Sequence, residues 1–142
     1  MKKVPIIFFF LIFVSCKLNS ENENLLENKK EGEKIMNIFF NNIVSNNFKE
    51  NKKFLSKSFL DYPGTKQFEK DQNLIKIKLG NITNINLLYS ETTISTKINS
   101  FPEYIYEYNI EREKKNSIET YFLIKENDSL KIKDYKIEYL NE

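Results

Sequence analysis

The spacing of hydrophobic positions changes once along this chain, and the change separates a helical half from a sheet half. Ile35, Met36, Phe39, Phe40, Ile43 and Val44 recur at helical spacing with polar residues in most of the gaps, which predicts an amphipathic helix with one wide apolar stripe. The stripe stops at Ser45-Asn46-Asn47, and Asn47 followed by Glu50 has the spacing of an N-cap with a returning acidic side chain. Phe48, Phe54, Leu55, Phe59 and Leu60 then supply the buried face of a second, shorter helix. Asp61-Tyr62-Pro63-Gly64 closes it, because proline disfavours helix in the residue before it. Two patterns compete over residues 65–79. Phe68, Ile75 and Leu79 share a helical face, whereas residues 75–79 alternate like a strand; Gly80, placed to end a helix in a left-handed conformation, decides for a third helix.

Beyond Gly80 the period falls to two. Ile85, Leu87 and Tyr89 alternate, then Thr92, Ile94, Thr96 and Ile98 alternate in the opposite phase, which predicts two short strands or one long strand bent by a bulge near Ser90-Glu91. After Pro102, residues Tyr104, Tyr106, Tyr108 and Ile110 share one face of a strand while Glu107, Asn109 and Glu111 point away. Ile118, Thr120, Phe122 and Ile124 repeat the pattern, and Asn127-Asp128-Ser129 reads as a tight turn. In the last strand Leu130 and Ile132 are followed by Tyr135, Ile137 and Tyr139 in the opposite phase. A slip of one residue exchanges the faces of a strand, so a bulge is expected at Lys133-Asp134. Helices first and an antiparallel meander afterwards predict an α+β domain with the helices packed on one face of the sheet.

The N-terminus has a different organisation. Lys2 and Lys3 precede a charge-free run over residues 4–14, too short for the roughly 20 apolar residues of a membrane-spanning helix and of the right length for a signal peptide. The run ends at the only cysteine of the chain, and Phe13-Val14-Ser15-Cys16 resembles the lipobox of bacterial lipoproteins. That resemblance implies cleavage between Ser15 and Cys16 and acylation of Cys16. The partner so implied is a membrane, engaged through the acyl chains, and two or more chains anchor stably where one does not. Lys17, in place of the aspartate of an inner-membrane retention signal, points to the outer membrane or cell surface of the bacterial envelope. Residues 17–30 are rich in Asn, Glu and Lys and read as a flexible tether. The expected organisation is a signal peptide over 1–15, a lipidated cysteine and tether over 16–30, and one globular domain over 31–142.

Charge narrows the partners further. The formal +2 comes from 22 basic and 20 acidic residues, and removal of Lys2 and Lys3 leaves the remainder neutral. No concentrated positive field is available for nucleic acid, so none is expected as a partner.

Three stretches carry a resemblance to the nuclear-transport-factor-2-like, or cystatin-like, fold used by small lipoproteins. They are Asn46-Asn47-Phe48 with Phe54-Leu55-Ser56-Lys57-Ser58-Phe59, then Leu79-Gly80-Asn81-Ile82, and the strand, turn and strand over residues 121–135. The resemblance implies about three N-terminal helices on one face of a curved antiparallel sheet of about four strands. Sheet and helices there enclose a cone that serves as ligand pocket, active site or packed core.

Candidate chemistry is sparse. With no histidine and one cysteine, Ser-His and Cys-His nucleophiles and zinc sites lack their residues, and no catalytic residue, metal or cofactor is expected. Gly32, Gly64 and Gly80 are too far apart for a phosphate-cradling loop. Asp61, Glu103, Glu107 and Asp134 are the carboxylates from which a pair meeting in the cone would serve an enzyme, the alternative reading. Tyr104, Tyr106, Tyr108, Tyr135 and Tyr139 are the candidates for a groove or interface, since tyrosine offers a large rigid surface with a polar tip. The leading expectation is a non-enzymatic, lipid-anchored envelope protein whose domain binds another envelope protein or a small ligand.

Overall fold

The computed structural model describes the backbone of residues 11–94 and 101–140, and their side chains from residue 24 onward. Helix α1 (Leu11–Val44) is followed by a 3-10 helix (Phe48–Phe54), α2 (Lys57–Asp61) and α3 (Thr65–Leu79). Strands β1 (Ile82–Thr93), β2 (Glu103–Arg112), β3 (Ser117–Glu126) and β4 (Ser129–Tyr139) then form one antiparallel sheet in sequence order. The chain is α+β, with helices first and a four-stranded open meander after them.

The described helices number four rather than about three, and the cause is local. Leu55 makes a parallel bridge to Ile132, and the Ser56 amide donates to the Ile132 carbonyl at 2.9 Å, so the backbone leaves the helical path there. Ser56 then caps α2, its hydroxyl accepting from the Phe59 amide at 3.1 Å. Asn47 stands at the start of the 3-10 helix without a side-chain capping bond, contrary to the spacing argument. Glu50 instead pairs with Lys53 at 3.6 Å. The third helix ends as expected at Gly80, whose φ is +86°.

Helix α1 runs back through the segment read as a tether. Leu25 packs against the core, Asn28 donates to the Tyr104 hydroxyl at 2.8 Å, and the Lys29 carbonyl accepts from the Tyr106 hydroxyl at 2.8 Å. Gly32 permits this approach: a Cβ built there would lie 2.0 Å from the Tyr106 oxygen. Glycine inside a helix costs about 0.5–1 kcal/mol relative to alanine, and here it makes room for the ring.

In the sheet, the bulge expected at Lys133-Asp134 is present. Leu123 pairs with Ile132 and Phe122 with Asp134, leaving Lys133 as the extra residue. The first strand is one long strand with two irregularities, one at Thr83 and the other a bulge at Leu88, between the pairs Leu87 with Tyr108 and Tyr89 with Glu107. This is earlier than the Ser90-Glu91 expected, so Leu87 and Tyr89 point to opposite faces. Thr96 and Ile98, assigned to the same strand, lie outside the described residues.

The third strand is a correction. Its buried face carries Ser117, Glu119, Tyr121 and Leu123, while Ile118, Thr120, Phe122 and Ile124 face the other way. Register decides it, because Tyr106 pairs with Tyr121 and Tyr104 with Leu123. Tyr121 is the hub of the core. Its ring centroid lies 5.6 Å from Phe39, 5.4 Å from Phe40 and 5.8 Å from Tyr135, in edge, edge and stacked arrangements. Phe40 also meets Tyr108 at 4.8 Å, and Phe68 meets Phe39 at 5.7 Å, so α1, α3 and the tyrosine-bearing face of the sheet share one aromatic cluster.

Candidate functional site

Strand β2 continues its buried phase beyond Ile110, which brings Arg112 onto the same face as the tyrosines. Its side chain and that of Glu119 are 3 % and 2 % exposed, and Arg112 Nη2 meets Glu119 Oε1 at 2.8 Å. Ser117 donates to the same oxygen at 3.0 Å, and Tyr121 donates its hydroxyl to Oε2 at 2.7 Å. Burying two charges is costly unless they are paired and their remaining oxygens and protons are satisfied. The carboxylate meets that condition. Burial and the Glu119 charge push the Tyr121 hydroxyl well above its ordinary pKa, opposed in part by Arg112.

The guanidinium is less complete. Arg112 Nε has no hydrogen-bond partner, and neither has Nε2 of the buried Gln72 on α3, although the Gln72 side chain lies close enough to the Tyr135 hydroxyl to offset part of its upward pKa shift. Both residues line a cavity of about 90 Å³ between the ends of α1 and α3 and the start of β1. Asn46, Lys76, Gly80 and Asn81 complete its polar wall, and Ile43 and Phe48 its apolar one. Lys76 Nζ donates to Asn46 Oδ1 at 2.8 Å. Asn81 donates from both its amide and its side chain to Glu113 at 3.0 Å, which holds the Glu113 carboxyl below its ordinary pKa.

The tyrosine surface expected from the sequence does not form as such. Tyr104, Tyr106 and Tyr108 are buried core residues; burial raises the pKa of Tyr106 and Tyr108. Tyr135 is half-buried and stacks on Tyr121 and on Phe59, with its hydroxyl pushed up to about 12 mainly by burial. Tyr139 alone of the five is exposed. The cone at this face is filled with rings.

The four carboxylates are not brought together either. Glu103 and Glu107 lie on the face of β2 opposite the tyrosines, the first paired with Lys133 at 3.1 Å and the second accepting from Thr120 at 3.3 Å. Asp134 is exposed opposite Phe122, and Asp61 is exposed at the end of α2. The buried acid is Glu119, which was missed because a charged residue in an alternating strand reads as solvated. The signal available was the phase of β2: a run of 104, 106, 108 and 110 extends to Arg112, and a buried arginine requires an acid nearby.

The two edges of the sheet also differ. Among the described residues β1 pairs only with β2, and around its bulge at Leu88 the side chains of Leu87, Leu88 and Tyr89 are 42 %, 51 % and 45 % exposed. Among the described residues no cluster of His, Cys, Asp or Glu suits a metal ion, and no helix is long and apolar enough to cross a membrane. Residues 1–10 of the signal peptide expected over 1–15 and the side chains of Ser15 and Cys16 lie outside the described residues, and the expected processing with them. Compared with protein-family models, curated proteins and solved structures, the chain finds no match.

Proposed function

We propose that the chain is a lipid-anchored lipoprotein of the bacterial envelope whose domain is a non-enzymatic module binding another envelope protein. Cleavage between Ser15 and Cys16 and acylation of Cys16 tie it to the outer membrane or cell surface; the support is the Phe13-Val14-Ser15-Cys16 ending of the apolar run. Leu25 lies nine positions after Cys16, about 14 Å of helix at 1.5 Å per residue. The tether in this reading is therefore a short helical stalk. The helices form one layer over the tyrosine face of a curved sheet, in the manner of nuclear-transport-factor-2-like domains, and the ring contacts of Phe39 and Phe40 with Tyr108 and Tyr121 support that layer.

The partner docks as an extended segment along β1. The observation that carries this is the exposed Leu87-Leu88-Tyr89 group on an edge strand whose one charged residue is Glu91. An open, apolar edge invites strand addition unless lysines, prolines or cover blunt it. A segment of low charge with a basic residue opposite Glu91 fits that edge. Intact mass and detergent partition of the wild type and Cys16→Ala, expressed in a bacterial host, test the anchor. The wild type is expected in the detergent phase carrying acyl mass, and the variant uncleaved; two equally water-soluble, cleaved proteins would overturn it.

A further inference from the structure

We infer that the cavity beside Arg112 is a binding site for a small oxyanion, a carboxylate or phosphate-type group. The inference stands apart from the anchor and from the β1 edge. The donor inventory carries it. Arg112 Nε and Gln72 Nε2 are buried N–H donors without acceptors, and both belong to the cavity wall. A buried donor left unpaired is unfavourable, so the site is complete only with an acceptor in place.

Charge selects among acceptors. The wall's charged side chains are Arg112 and Lys76, with no acid among its described residues. Glu119 neutralises Arg112, and Asn46, the hydrogen-bond partner of Lys76, is neutral. Glu113, outside the wall, is engaged by Asn81, and the charges of Lys114 and Lys76 both act on it. Three of the carbonyls ending the two helices are already occupied. Ile43 O accepts from the Asn46 amide at 3.0 Å, Lys76 O from Gly80 at 2.9 Å, and Leu79 O from Lys114 at 3.0 Å. Two donors without acceptors and the Lys76 cation therefore belong to the wall of a space of about 90 Å³. At roughly 30 Å³ per water, that is about three water molecules, the size of one small oxyanion head group.

The test is a titration of the full chain with sodium phosphate and, separately, sodium acetate, against sodium chloride at matched ionic strength. The readouts are the Arg112 Nε–H and Gln72 side-chain NMR signals together with the melting temperature. Saturable shifts in those signals and a rise in melting temperature with phosphate or acetate, absent with chloride, are expected. The anion that saturates identifies the head group. Lys76→Met keeps the fold and is expected to weaken binding about tenfold or more, and Gln72→Leu by a similar factor. If phosphate and acetate act no differently from chloride, the cavity holds water only and the inference fails. It fails equally if the response survives unchanged in both variants.

Discussion

The sheet has two edges, and the chain treats them in opposite ways. β4 carries Lys131, Lys133, Asp134, Lys136 and Glu138, is bent by a bulge at Lys133, and is bridged at Ile132 by Leu55 and Ser56. Charges, a bulge and a covering segment are the devices by which proteins keep an edge strand from pairing with another chain. β1 has bulges alone. Its residues are Asn, Thr, Ile, Leu, Tyr, Ser and a single Glu91, and around the bulge at Leu88 three consecutive apolar side chains, on both faces of the strand, are exposed. Among the described residues one edge is thus protected and the other left open, and the proposed docking of a partner at β1 rests on that difference.

The sharpest way to break the comparison is to truncate one apolar residue on each edge strand. Ile132 is fully buried on β4, and Ile132→Ala is expected to cost about 2–5 kcal/mol in denaturant unfolding. Leu88→Ala on β1 is expected to stay within about 0.5 kcal/mol. Comparable losses would mean that Leu88 is part of the core and β1 is no free edge.

The tyrosines of the two strands give a second contrast, read by pH. Burial pushes Tyr135 on β4 up to about 12, whereas Tyr89 on β1 is raised chiefly by the Glu107 charge beside it. A tyrosine whose pKa is raised by folding stabilises fully below its unfolded value of about 10, and that contribution is lost as pH climbs through the folded value. Stability should therefore fall between about pH 10 and 12. Tyr135→Phe should reduce that fall, the buried Tyr106, Tyr108 and Tyr121 supplying the rest, and Tyr89→Phe should leave it nearly in place. Glu107→Gln should move the Tyr89 titration back toward its ordinary position, as tyrosinate absorbance would report. An alkaline fall unaltered by Tyr135→Phe would contradict the assignment.

Amide exchange supplies the smallest effect. The Ser56 amide, which closes the β4 edge on Ile132, should exchange more slowly than the outward amides of β1. Equal protection at both edges would show that β1 is covered.

Much of this architecture was legible in the sequence, because period and turn chemistry are local properties. Gly80 ended α3, Asn127 and Asp128 took the positive φ values of a tight turn, and the phase slip in β4 located its bulge at Lys133. What failed depended on partners distant in sequence. β3 offers two alternating sets, and Ile118, Thr120, Phe122 and Ile124 look the more apolar; only pairing with β2 and the demand of Arg112 for Glu119 turn the other set inward. The second helix broke because Ser56 bonds to Ile132, a residue of the last strand. The tyrosines were recognised as informative, but the same alternation that suggested a surface put Tyr104, Tyr106 and Tyr108 into the core. The cavity beside Arg112 could not be anticipated at all, since its wall is assembled from both helix ends and two strands.

The comparison of edges is tested most directly by placing a photo-crosslinking residue at Leu88 on β1 and, separately, at Lys136 on β4 of the full-length protein in intact bacteria. A discrete adduct is expected at Leu88, its partner identified by mass spectrometry, rebinding the purified wild-type domain and losing that binding to Tyr89→Lys. None is expected at Lys136. A second copy of this chain in the adduct would make the edge a self-association surface instead. Adducts alike at both positions, or none at either, would contradict the claim that β1 is the docking edge.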